Sequence, residues 1–338
     1  MTTTGLDHAT RLIQAVCRLA GSVSLVENFR TELGEHGLVQ ALAQHDTAAL
    51  FDWLAEAVSF QGISDRIAWD YMERHGRATW DDLRRNLSQA PSCPKLTSFW
   101  HFHDCRYHKG SKTCAEPDHL PDCPLPTHHL RNGRLNQTAY ALFLFIRDVA
   151  GGDLVSWIDN RLAEADDPAA PDRLGRLREA LLTPLGTVYG VSDKVWTMIL
   201  SALLLGAGKG RLGWLEVGGS MIVVDTLVHN FLHRTGILER LNAAHPYGPG
   251  CYRPNGCAAV LETVAQQIDA RSFNPEFPAV FPRFVQHAIW RYCAQSGLNV
   301  CNGNKIDDGA SCANVYCRVH GQCDRIALRS VESADTSH

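Results

Sequence analysis

Residues 91–133 hold Cys93, Cys105, Cys114 and Cys123, six histidines (His101, His103, His108, His119, His128 and His129) and no sustained apolar periodicity. About 40 residues without regular structure are uncommon inside a compact fold unless something else holds them. With so many thiols and imidazoles, a metal is the obvious candidate. The pattern on either side is helical. Residues 8–20 are apolar at helical spacing. Asp46 and Thr47 can cap a helix running to Ser59, with Leu50, Phe51, Leu54 and Val58 on one face. Ser64 is placed to cap 65–75, which Gly76 stops, and Thr79 starts a short helix through Leu87. Helical patterning returns over 136–149, 176–188, 193–205 and 226–235, whereas 163–172 and the glycine-rich 206–219 read as loops. No strand set, internal repeat or low-complexity tract is visible, so the chain is expected to be all-α.

The 338 residues, 45% hydrophobic and 20% charged, suffice for one large core or two moderate ones and exclude global disorder. The start, MTTTGLDHATRLIQ, has no basic stretch followed by an apolar one, and the longest apolar run, 195–207, is too short for a bilayer. A soluble cytoplasmic protein is expected. The net charge of −4 argues against non-specific coating of nucleic acid. It is neutral on a small footprint, because phosphate contact needs only a local positive face or aligned amides. The twelve cysteines are mostly grouped, which without a secretory signal favours metal ligation over disulfides.

Three segments carry residues suited to chemistry. SFQGISDRIAW, within 51–80, reads as a helix-turn-helix with Gln61 at its turn. YGVSDKVWTMILSALL, within 188–205, reads as a hairpin turn at Gly190, Val191 and Ser192 leading into a helix that carries Lys194. IVVDTLVHNFLHRTG sets Asp225 at a helix start. A tight turn at Gly190 followed by free amides at a helix N-terminus is a phosphate site, and Ser192 is a suitable N-cap. The helix dipole favours the ionised form of Asp225. Alone, a helical lysine is usually a solvated charge and an aspartate at a helix start is a cap. Together Lys194 and Asp225 supply an amine and a carboxylate.

These segments, with NGRLNQTA at 132–139 between them, resemble in order and phasing the helix-hairpin-helix DNA glycosylases, the superfamily typified by endonuclease III and 8-oxoguanine glycosylase. The resemblance implies a two-domain helix-hairpin-helix glycosylase fold and a flipped-out target base. It further implies that Asp225 stabilises the sugar cation, that Lys194 attacks C1′ to form a Schiff base, and that Gln61 fills the gap left by the base. Gly190, Val191 and Ser192 would hold a phosphate. The chain departs from the family at Ser192, where a second glycine is usual, and at Tyr189, where proline is usual. Thirty residues separate Lys194 from Asp225, more than in endonuclease III, and the surplus falls in 206–219.

Many members of that superfamily carry a 4Fe–4S cluster near the C-terminus on Cys-x6-Cys-x2-Cys-x5-Cys. Here the last group reads Cys301-x10-Cys312-x4-Cys317-x5-Cys323, and Cys293, within WRYC, competes with Cys301 for one place. The resemblance points to a 4Fe–4S cluster where spacing alone leaves iron–sulfur and zinc open. The group Cys93, Cys105, Cys114 and Cys123 has no counterpart in endonuclease III and no Cys-x2-Cys; it is assigned a second metal, zinc or iron–sulfur. Cys251 and Cys257 are left as ordinary thiols.

The expected organisation is a helical barrel domain over 46–205, interrupted by the 91–133 insertion, with a second helical domain from 1–45 and 206–338 that bears the C-terminal cysteine cluster. The expected activity is excision of a damaged or modified base from double-stranded DNA in the nucleoid, with abasic-site lyase activity through Lys194. A pyrimidine is preferred by the resemblance to endonuclease III, with an oxidised purine second. The alternatives are a glycosylase without lyase activity, in which Lys194 only contacts phosphate, and a non-catalytic redox-sensing DNA-binding protein. A zinc deaminase is disfavoured by the missing His-x-Glu and Cys-x2-Cys pattern.

Overall fold

The computed structural model describes residues 3–20, 24–89, 92–207, 210–302 and 306–328. Every regular element among them is helical, and the nearest approach to a strand is an isolated bridge between His108 and Thr113. The all-α expectation therefore holds, although 91, 208 and 209 of the segments discussed above lie outside the described residues. No helix among the described residues is long and apolar enough to cross a membrane.

The chain forms two compact units, one spanning Phe29–Leu215 and the other combining the residues up to Asn28 with those from Glu216 onward. The sequence-based boundaries were 45/46 and 205/206. The first differs because helix Leu38–Gln44 packs on Thr47–Ser59.

Within the Phe29–Leu215 unit, helix Thr47–Ser59 is the hub. It touches Leu38–Gln44, Trp80–Ser88, Asn136–Leu144, Leu154–Ala165 and Asp193–Gly206. Its start is fixed by Asp46, whose carboxylate accepts from the Ala49 amide at 3.1 Å. Phe51 meets Trp80 and Phe143 edge-on, with centroids 5.5 and 6.1 Å away. Burying a phenylalanine in this way contributes roughly 1.5–3 kcal/mol. Thr79 and Asp82 form a reciprocal capping box that starts Trp80–Ser88. Gly76, at φ 76°, ends Asp65–His75 as expected, while Ser64 occupies the N-cap without a capping bond.

Two segments differ from expectation. The single helix anticipated over 136–149 is α-helical for Asn136–Leu144 and then widens into a π turn over Phe145–Val149. That turn carries Asp148, whose carboxylate accepts from the Phe99 amide at 2.7 Å. Leu212–Ser220 is a helix, not part of a loop. Its glycines suppressed the helical signal, but buried Trp214 anchors the segment by donating from Nε1 to Asp159 at 2.6 Å. At its far end, a Cβ on Gly219 would stand 3.1 Å from the Phe281 ring, so glycine there serves close packing.

The cysteine- and histidine-rich segment contains only short turns and the four-residue helix Phe99–Phe102. Its far end is tied down by buried Asn136, whose amide donates to the carbonyls of Leu125 at 2.8 Å and His128 at 2.6 Å. The Asn136 side-chain oxygen accepts from the Leu130 amide at 3.1 Å. Protein hydrogen bonds thus supply part of the support that the sequence assigned to metal alone.

In the other unit, helices Thr3–Ala20, Thr226–Arg234, Cys257–Ala265 and Pro282–Cys293 pack together. Thr3–Ala20 buries Ala9, Leu12, Ile13, Val16 and Cys17, a stripe at three- and four-residue spacing. Met221, Ile222, Val223 and Val224 are all buried, which fixes the approach to Asp225.

Candidate functional site

The predicted hairpin is present as helices Arg173–Leu185 and Asp193–Gly206. Gly190 takes φ 78°, and a Cβ there would lie 2.5 Å from the Thr138 hydroxyl, so both conformation and space require glycine. Ser192 sits at the N-cap with φ −81°, a conformation open to any residue, which removes the need for a second glycine. Its hydroxyl makes no capping bond, contrary to expectation. Gly190 and Ser192 are exposed, whereas the Val191 side chain is buried, leaving that residue only its backbone for a ligand. Lys194 is half-buried in the first turn of the second helix.

Gln61 and the hairpin are brought together. The Gln61 side chain donates from Nε2 to the Gly190 carbonyl at 3.0 Å, and Arg131 donates to the Gln61 carbonyl. Arg131, Asn132 and Gly133 all have positive φ. A non-glycine residue in that region is held there by its surroundings at a cost of about 1–3 kcal/mol. The turn at Arg131, Asn132 and Gly133 thus supports Gln61 through the Arg131 guanidinium.

In the same unit, the thiols of Cys93, Cys105, Cys114 and Cys123 converge. Burial pushes Cys123 up to about 11, and the nearby thiols of Cys105, Cys93 and Cys114 raise it further. Burial also raises Cys105, whose sulfur accepts from Gln137 Nε2 at 3.8 Å.

Asp225 is the N-cap of Thr226–Arg234 in the other unit, half-buried, with its carboxylate accepting from the Val228 amide at 2.9 Å. Arg283 is buried nearby. Burial pushes that guanidinium down to about 10, opposed by the carboxylate of Asp225. A buried cation and a helix N-terminus thus lie beside the Asp225 carboxylate.

The C-terminal thiols Cys301, Cys312, Cys317 and Cys323 line one cavity, together with Phe231, Tyr292 and Arg234. Burial pushes Cys323 up to about 11, with Cys301, Cys317 and Cys312 adding to the rise. Cys317 Sγ lies 3.0 Å from the Tyr292 hydroxyl. Cys293 is fully buried and hydrogen-bonded to Cys301. It does not line the cavity, so Cys301 is the one grouped with the other three. Arg234, almost fully buried, pairs with Asp308 at 3.1 Å, yet its Nη1 is a buried donor without a partner. An anionic occupant of the cavity would satisfy it.

One group escaped the sequence analysis. His229, His245, Cys251 and Cys257 place their ligand atoms all within 4.8 Å of one another, and this set could hold a metal ion. Cys251 and Cys257 are thus not isolated thiols. The spacing, His229-x15-His245-x5-Cys251-x5-Cys257, matches no short zinc motif, so only the fold reveals the set. His229 belonged to a quoted segment, and a histidine one turn after the Asp225 cap was the available signal.

No family model, curated protein or solved structure matches the chain.

Proposed function

We propose that the protein is a DNA base-excision enzyme of the helix-hairpin-helix kind. The observation that carries this reading is the Gln61–Gly190 hydrogen bond, which joins the residue assigned to the emptied base position with the turn assigned to the phosphate. Extruding a base costs a few kcal/mol, least at a damaged or mispaired site, so duplex DNA with such a base is the substrate class. Asp225, at a helix N-terminus near buried Arg283, is the carboxylate that stabilises positive charge on the sugar as the base leaves. Lys194, in its neutral form, attacks C1′ as the glycosidic bond breaks, and one amine proton leaves with the base; the C1′–O4′ bond then opens, O4′ takes the second amine proton, and the C1′=N bond of the Schiff base that permits strand cleavage forms.

The C-terminal thiols are assigned a 4Fe–4S cluster. The cavity shared by Cys301, Cys312, Cys317 and Cys323, with the unpartnered donor of Arg234 on its wall, supports the cluster. Cys123 is followed by Pro124, as in the Cys-Pro of some iron–sulfur runs, which favours iron–sulfur over zinc at Cys93, Cys105, Cys114 and Cys123. A screen of the anaerobically purified protein against duplexes that each carry one defined lesion tests the function. Release of a modified base, pyrimidine before purine, is expected; no release from any duplex would refute it.

A further inference from the structure

We propose that His229, His245, Cys251 and Cys257 form a zinc site that fixes the start of the helix carrying Asp225. Nδ1 of His229 lies 3.3 Å from Cys257 Sγ and 3.6 Å from Cys251 Sγ, and Nε2 of His245 lies 3.4 Å from Cys257 Sγ. With zinc–sulfur at about 2.3 Å and zinc–nitrogen at about 2.0–2.1 Å, a tetrahedron separates nitrogen and sulfur ligands by about 3.5 Å. All three distances agree with a single ion at the centre. A two-iron centre of the His2Cys2 type divides its histidines and cysteines between two irons, which this tight set does not accommodate.

The ring chemistry agrees. Nδ1 of His245 is 2.6 Å from the Ala243 carbonyl, so Nδ1–H donates there and the Nε2 lone pair faces the site. A second hydrogen bond that orients the ring and fixes its tautomer is usual for histidine ligands. His229 is buried, and its Nδ1 faces both sulfurs. Both cysteines are fully buried, His229 is buried and His245 half-buried, and four protein ligands complete a tetrahedron as in structural zinc sites. The set is closed and structural. Two thiolates and two imidazoles suit zinc in preference to the harder magnesium or calcium.

The consequence for Asp225 lies in what the ion would join. The His229 amide donates to the Asp225 carbonyl at 3.0 Å, one turn into the helix. Tyr252, next to Cys251, accepts from the Val224 amide through its hydroxyl at 3.0 Å. The metal would therefore hold the residue before Asp225 through Cys251 and Tyr252, and the turn after it through His229. This positioning role rests on the assignment of Asp225 above; the zinc site itself does not.

Metal analysis of the purified protein should give one zinc per chain besides its iron. Cys257→Ser and His245→Ala should each lose that zinc and keep the iron, and Cys251→His, which retains a ligand, should keep both. Cobalt(II) supplied in place of zinc should show the ligand-field bands of a tetrahedral thiolate–imidazole site. Absence of both zinc and cobalt uptake in the unaltered protein overturns the site, as does zinc retained in Cys257→Ser or recovery of Cys251 and Cys257 as a disulfide. Hydrogen exchange reads the positioning without any assay of activity: amides 224–229 should exchange at least tenfold faster in His245→Ala. Unchanged exchange after zinc loss overturns the positioning role. An unaltered protein that binds zinc but releases no base sinks the glycosylase reading alone.

Discussion

Gln61 donates its side-chain amide to the Gly190 carbonyl at 3.0 Å across 129 residues of chain. The bond fixes one candidate DNA contact against another before any ligand arrives. A net hydrogen bond of this kind contributes about 1 kcal/mol, or about fivefold in an equilibrium constant. Gln61→Ala should therefore weaken binding to a duplex with an abasic site by about fivefold, read by fluorescence anisotropy, while circular dichroism stays the same. Unchanged affinity would show that neither the bond nor the side chain contributes to recognition.

Gly190 tolerates no side chain. Its φ of 78° and the 2.5 Å separation of a built Cβ from the Thr138 hydroxyl predict that Gly190→Ala destabilises the hairpin by about 1–3 kcal/mol. Thr138→Ala in the same chain should recover part of the loss by removing the clash, leaving the cost of the backbone conformation. Denaturant midpoints of the two variants check this; equal midpoints would mean the clash is relieved some other way.

The two larger cysteine groups should empty separately. Cys317→Ser or Cys323→Ser should lose the C-terminal iron, and Cys105→Ser or Cys114→Ser only the iron of the other group. Iron and sulfide per chain, with the broad visible absorbance of the anaerobic protein, give the readout. A colourless, iron-free and fully folded protein contradicts both assignments.

His287 sets a pH dependence. Burial pushes its imidazole down to about 3, with the cations Arg283 and Arg291 adding to the effect. A folded-state value below the ordinary 6.5 means that the unfolded chain binds the extra proton first. The contribution of His287 is thus complete above about pH 6.5 and is lost as pH falls toward 3. Between pH 6.5 and 5 the loss is up to about 2 kcal/mol. Denaturant unfolding should show this slope in the unaltered protein and a flatter one in His287→Phe; identical slopes would remove His287 as the cause.

Local chemistry made much of the fold legible. Asp46, Thr79 and Gly76 mark helix ends because capping and left-handed stops depend on one or two side chains near in sequence. Leu212–Ser220 was not legible: its glycines are loop signals, and the helix exists through Trp214 and Asp159, which are far apart in sequence. The supports of the site were equally hidden. Asn136 and Arg131 act through backbone groups that the sequence does not display. His245 joins Cys251 and Cys257 only because loops fold back on the Asp225 helix, and no fixed spacing announces that. Lys194 and Asp225 were singled out by resemblance, each beside a helix start.

Borohydride trapping tests the central claim most directly. The protein is incubated with duplex DNA bearing one abasic site, reduced, and resolved under denaturing conditions. The account predicts a covalent protein–DNA adduct that disappears in Lys194→Gln while DNA binding remains. Asp225→Asn, assayed beside it on the base identified by the lesion screen, should fold and bind DNA yet lose most base release, because a neutral amide offers no charge to the sugar cation. A trapped adduct of equal yield in Lys194→Gln, with Asp225→Asn fully active, would contradict the account.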